Sequence, residues 1–84
     1  MKLYQYRGRC NLSGMRIRKA REEAELSQEQ LAARLQVLGL EITQKSISRI
    51  ETGLRLVPDF ELLYFAKALG KSILWFYEEE CDDQ

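Results

Sequence analysis

The chain has 84 residues, of which 45% are hydrophobic and 31% charged, and its formal net charge is zero. That length holds one domain around a single modest core, and the composition excludes an intrinsically disordered chain. No apolar run approaches the roughly 18 residues of a membrane span. The basic opening "MKLYQYRGRC" has no apolar stretch behind it, so no signal peptide is expected and the chain is placed in the cytoplasm.

The zero sum hides an asymmetry. Lys2, Arg7, Arg9, Arg16, Arg18, Lys19 and Arg21 fall in the first quarter with no acid among them, while Glu78, Glu79, Glu80, Asp82 and Asp83 crowd the last seven residues. Separation of this kind says more about partners than the total does. Cys10 and Cys81 lie near opposite ends, and the chain has no histidine. Neither a metal site nor a disulfide is therefore expected in a reducing compartment, and no cofactor is implied.

Start and stop signals divide the chain into a 1–11 extension, a 12–77 helical domain and an acidic 78–84 tail, solvated and without fixed structure. The extension has two open readings. It is a basic arm directed at a phosphate backbone, or a flap whose Leu3, Tyr4 and Tyr6 cover apolar surface; the crowding of those three favours the flap. A first helix is expected from Leu12 or Ser13 to Glu25, with Ile17, Ala20 and Ala24 on one stripe. Arg16, Arg18 and Lys19 are expected on its exposed side. Ser27 followed by Gln30 matches the capping box that opens a second helix. Leu31, Ala32, Leu35 and Leu38 give it an apolar face through Leu38, and Gly39 stops it.

Thr43 is the next N-cap. Ile47 and Ile50 form the inner face of a third helix that Gly53 ends. After Pro58, Asp59 is expected to cap a fourth helix with Leu62, Phe65, Ala66 and Leu69 inward and Gly70 beyond its end. Ser72 caps a short fifth, carrying Ile73, Trp75 and Phe76. The fold class is all-α.

With Ile47 and Ile50 against the core, a 100° advance per residue points Lys45 and Arg49 outward. Gln44, Ser46 and Ser48 flank them, and Glu51 turns back toward the inner edge. An amide, an ammonium, two hydroxyls and a guanidinium with no central acid suit base edges and phosphates. An ordinary solvated helix also carries a polar face. Gln28, at the first turn of the second helix, sits where free N–H groups favour a phosphate. Arg55 follows the third helix and is expected to reach the backbone on the other flank.

In order, "IRKAREEAELSQEQLAARL", "ITQKSISRIETG" and "PDFELLYFAKALGKSILWF" make the chain, from about Leu12 to Tyr77, resemble the Cro/C1-type helix-turn-helix family of phage repressors and Xre-like bacterial regulators. The resemblance implies a five-helix lambda-repressor-like domain that binds double-stranded DNA, most simply as a repressor. It implies base reading by Gln44, Lys45 and Arg49, phosphate contacts by Gln28, Ser46 and Arg55, and a structural ion pair between Arg21 and Glu51. One departure stands out: six residues separate Leu35 from Ile42, which lengthens the family's short turn between helices 2 and 3. Leu40 and Ile42 are expected to be buried there.

"SILWFY" offers more apolar surface than one short helix buries. Leu74 and Tyr77 are therefore candidates for a homodimer interface on a pseudo-palindromic operator; in the alternative, Leu74 packs against the N-terminal segment. With no histidine, no Gly-rich phosphate loop and no nucleophile beside a base, an enzyme is the weakest reading, and no small-molecule ligand is evident. The rival is a protein-interaction module, antitoxin-like or an adaptor, that uses the same fold without reading DNA. A repurposed domain would tolerate acids or apolar residues at 44, 45 and 49, and this one has neither there.

Overall fold

The computed structural model describes residues 5–78, and among them four α-helices follow one another: α1 (Gly14–Glu23), α2 (Gln28–Val37), α3 (Gln44–Glu51) and α4 (Asp59–Leu69). The segment expected as a fifth helix, Ile73–Tyr77, is a 3₁₀ helix. No helix among the described residues is long and apolar enough to cross a membrane. Leu3, Tyr4, Cys81 and the acids Glu79, Glu80, Asp82 and Asp83, on which several expectations rested, lie outside the described residues.

The local start signals act as their chemistry requires. The Ser27 hydroxyl accepts from the Gln30 N–H at 3.0 Å while the Gln30 side chain accepts from the Ser27 N–H at 2.8 Å, a complete capping box. Thr43 caps α3 through the Ser46 N–H, and Ser72 caps the 3₁₀ helix through the Trp75 N–H. At α4 the expected role of Asp59 is corrected. Pro58 is the N-cap and its carbonyl accepts the first bonds, so Asp59 is already the first helical residue and makes no side-chain cap. Its charge, with that of Glu61, lies in the first turn, where the helix dipole favours an acid.

Helix α1 is shorter than expected at both ends. Glu25 takes a left-handed conformation (φ 59°), and the Glu25 and Leu26 N–H groups bond back to the Glu22 and Arg21 carbonyls, closing α1 at Glu23. Ala24 is thereby exposed rather than part of the buried stripe. The second helix ends in the same way at Gly39 (φ 107°), and Leu38, its C-cap, is 42% exposed rather than inward.

Ile17 and Ala20 from α1, Leu31 and Leu35 from α2, Ile47 and Ile50 from α3, Leu62 and Phe65 from α4, and Phe76 form one buried core. Residues 38–43 connect α2 to α3. Within them Leu40 and Ile42 are buried in the same core, and the Gln36 side chain donates to the Ile42 carbonyl at 3.0 Å. The connector is thus tied at both faces.

The N-terminal segment turns sharply. Tyr6 and Arg9 exchange backbone hydrogen bonds of 2.7 and 3.0 Å around Arg7 and Gly8, both at positive φ, the backbone pattern of a two-residue hairpin. Tyr6 is largely exposed, which corrects its expected role as apolar cover. Polar groups hold the segment instead, with the Cys10 N–H on the Gly53 carbonyl at 2.8 Å.

Candidate nucleic-acid interface

Helix α3 carries the site. Its inner residues Ile47 and Ile50 are fully buried, which fixes its rotation about its own axis. Gln44, Lys45 and Arg49 are then exposed, and Ser46 and Ser48 half-buried beside them. The Arg49 guanidinium has one long contact, 3.5 Å to the Leu54 carbonyl. The outward face thus presents two cations and an amide. The Ser46 hydroxyl accepts from the Thr43 hydroxyl at 3.1 Å, leaving its own proton to donate.

A chain of side-chain bonds ties this face to the other helices. The buried Glu51 carboxylate accepts from Arg21 Nε at 2.7 Å and from Arg21 Nη2 at 3.0 Å. It also accepts from Gln28 Nε2 at 3.0 Å. Gln28 Oε1 in turn accepts from Gln44 Nε2 at 2.7 Å. Three helices are therefore linked in series, from α1 through α3 and α2 and back to the first residue of α3. A buried carboxylate needs such a set of donors to offset its desolvation. The Glu51 bond raises the Arg21 pKa above its ordinary value against the opposing effect of burial, so the guanidinium stays charged. The Gln28 amide has a second N–H beyond the one given to Glu51.

The carboxyl end of α3 is held from a distance. Asn11 Nδ2 donates to the Ile50 carbonyl at 2.9 Å and to the Arg55 carbonyl at 2.8 Å, while its Oδ1 accepts from the Gly14 N–H at 2.8 Å. One side chain thus caps the start of α1 and the end of α3. Arg9 Nη2 adds a bond of 2.9 Å to the Glu51 carbonyl, a cation where the helix dipole favours one. Gly14 permits the approach, because a Cβ there would overlap the Ile50 carbonyl oxygen. Sequence reading missed Arg9 and Asn11. Asn11 stands three residues before Gly14, a spacing that suits a cap, but nothing local announces its two carbonyl partners.

Two arginines have partners that the sequence did not announce. Arg55 does not stand free on the flank. Its guanidinium is bidentate to Glu61, at 2.8 and 3.2 Å, and the Glu61 bond raises its pKa. Glu61 is buried at the start of α4 and needs that cation. Arg16, expected on the exposed side of α1, is buried. Its Nε donates to the Trp75 carbonyl at 3.0 Å, its Nη2 lies 3.4 Å from Glu78, and its guanidinium is 3.7 Å from the centre of the Trp75 ring. It fastens the 3₁₀ helix to α1. Arg18 is exposed and pairs with Glu22, and Lys19 is exposed. Leu74 is 75% exposed and Tyr77 47%.

The model of a helix-turn-helix family matches residues 17–76, most of the described domain. Searches for similar curated proteins and for similar solved structures each returned no match.

Proposed function

Because the chain belongs to the Cro/C1-type helix-turn-helix family of DNA-binding regulators, we propose that it binds double-stranded DNA in a sequence-specific way. In this reading α3 enters the major groove and the protein acts as a transcriptional repressor. The observation that carries this is the outward pairing of Lys45 and Arg49 on a helix whose opposite face is locked by two fully buried isoleucines. Gln44, Lys45 and Arg49 read base edges. Gln28, through its remaining N–H, and Ser46 contact phosphates. The Arg55–Glu61 pair supports a positioning role for Arg55, at the entry to α4, in place of a phosphate contact.

The four α-helices and the 3₁₀ helix correspond to the five helices of a lambda-repressor-like domain, and residues 38–43 to a lengthened turn between the second and third. A longer turn threatens the crossing of α2 over α3. The 2.7 Å Gln44–Gln28 bond spans that crossing, and Leu40 and Ile42 anchor the connector in the core; both support a turn elaborated without loss of docking geometry. The protein acts as a homodimer, with Leu74 and Tyr77 at the interface, on a pseudo-palindromic operator whose half-sites lie about 34 Å apart.

Selection of bound fragments from random duplex DNA tests the reading, with a symmetric enriched sequence as the expected result. On that sequence Arg49→Ala should cost about 1–3 kcal/mol and relax the preference. Arg55→Ala should keep the preference while lowering thermal stability. Failure to enrich any sequence defeats DNA reading, and equal loss by Arg49→Ala on every duplex removes Arg49 from the base-reading set.

A further inference from the structure

The α4 face turned away from the core carries an ordered pattern that DNA binding does not use. Asp59, Phe60, Leu63 and Lys67 fall within one arc of the helix at 100° per residue, and all four are exposed. Phe60 is 58% exposed and Leu63 47%, in a helix whose opposite arc buries Leu62, Phe65, Ala66 and Leu69. Neither Asp59 nor Lys67 has an ion-pair partner among the described residues. Leu54 and Leu56, on the chain entering the helix, are exposed too and line a cleft with Arg55 and Pro58.

We propose that this stripe is a two-fold contact with a second copy of the chain, its α4 helices packed antiparallel. Along the helix the order is acid, apolar, apolar, base. A two-fold contact is self-complementary, so residue i meets j and j meets i. Positions 59 and 67 are symmetric about 63. Antiparallel packing therefore sets Asp59 of each copy against Lys67 of the other, places Leu63 at the axis, and lays Phe60 along the aliphatic stem of the opposing lysine. Parallel packing would instead bring like charges together at both ends. The charge order thus specifies both the occupant and its direction. This contact is separate from the Leu74–Tyr77 surface, so a protein using both assembles beyond a dimer, and it does not depend on DNA reading.

Sedimentation velocity of the full chain without DNA, over rising concentration, tests the contact. Self-association is expected, and Asp59→Lys or Lys67→Asp should each weaken it about tenfold, since two attractive pairs become repulsive. An equimolar mixture of the two variants should recover the original association, because the mixed pair again opposes charges at both positions. That recovery also shows that neither variant is misfolded. Leu74→Glu should leave a charge-dependent association in place. The proposal is overturned if the chain stays monomeric at every concentration, if the single reversals change nothing, if mixing fails to restore association, or if Leu74→Glu alone abolishes it.

Discussion

At its amino end α3 is capped by a neighbour: the Thr43 hydroxyl accepts from the Ser46 N–H at 3.1 Å, three residues on. At its carboxyl end the Ile50 and Glu51 carbonyls receive Asn11 and Arg9, which stand 39 and 42 residues away in the chain. The first device belongs to a local segment and forms whenever that segment turns helical. The second exists only once α1 has docked. The amino end, where the proposed base-reading residues begin, is therefore positioned by its own sequence, whereas the direction in which the helix points depends on the rest of the domain. Glu51 joins the two ends, because its carboxylate reaches Gln44 through Gln28.

Substitutions can take the two ends apart. The largest effect is expected from Glu51→Ala, which leaves the Arg21 guanidinium partly buried without its acid and releases Gln28. Urea unfolding should register a loss of about 3–5 kcal/mol, and DNA affinity should fall with it; a loss below about 1 kcal/mol would put the pair in the class of weak surface ion pairs.

Asn11→Ala attacks the carboxyl end alone. It strands the Gly14 N–H and removes donors from two carbonyls, for an expected cost of about 1–3 kcal/mol. Hydrogen exchange should speed up at Gly53 and Leu54, whose N–H groups close α3, while Ile47 near the amino end is affected least. Uniform acceleration along α3 would mean that the clamp supports the whole helix and not one end.

Thr43→Ala attacks the amino end and should cost about 1 kcal/mol. Here the Ser46 amide should exchange faster and the Gly53 amide should not. Because Gln44 and Lys45 follow directly, affinity for the preferred duplex should drop further than stability does. An unchanged affinity would show that the Gln28–Gln44 bond suffices to hold that end.

Much of the fold was legible because its signals are short-range. Ser27 with Gln30, Thr43, Gly39, Gly53 and Gly70 each act within a few residues of themselves, and Ile47 with Ile50 fixes which side of α3 faces inward. The misreadings have two sources, distant partners and local turns. Arg16 looks like any exposed cation in sequence, but its burial is decided by Trp75, a residue on another element, just as Glu61 supplies a partner to Arg55 that nothing local announces. Tyr6 looks like cover for a core, yet the hairpin at Arg7 and Gly8 leaves it in solvent. Ala24 fits the helical stripe, but a left-handed Glu25 ends the helix before Ala24 can use it.

The sequence by itself determined where the helices begin, which faces they bury, and which polar side chains α3 turns outward, since caps and 3.6-residue periodicity act within a turn or two of chain. It also carried the Arg21–Glu51 pair, though only through resemblance to a family. Tertiary structure alone decided which cations are already neutralised, how Asn11 joins the start of α1 to the end of α3, and how Gln28 locks the crossing of α2 over α3. Those outcomes depend on distances between groups far apart in the chain, and such distances are set only when the shared core brings the helices together.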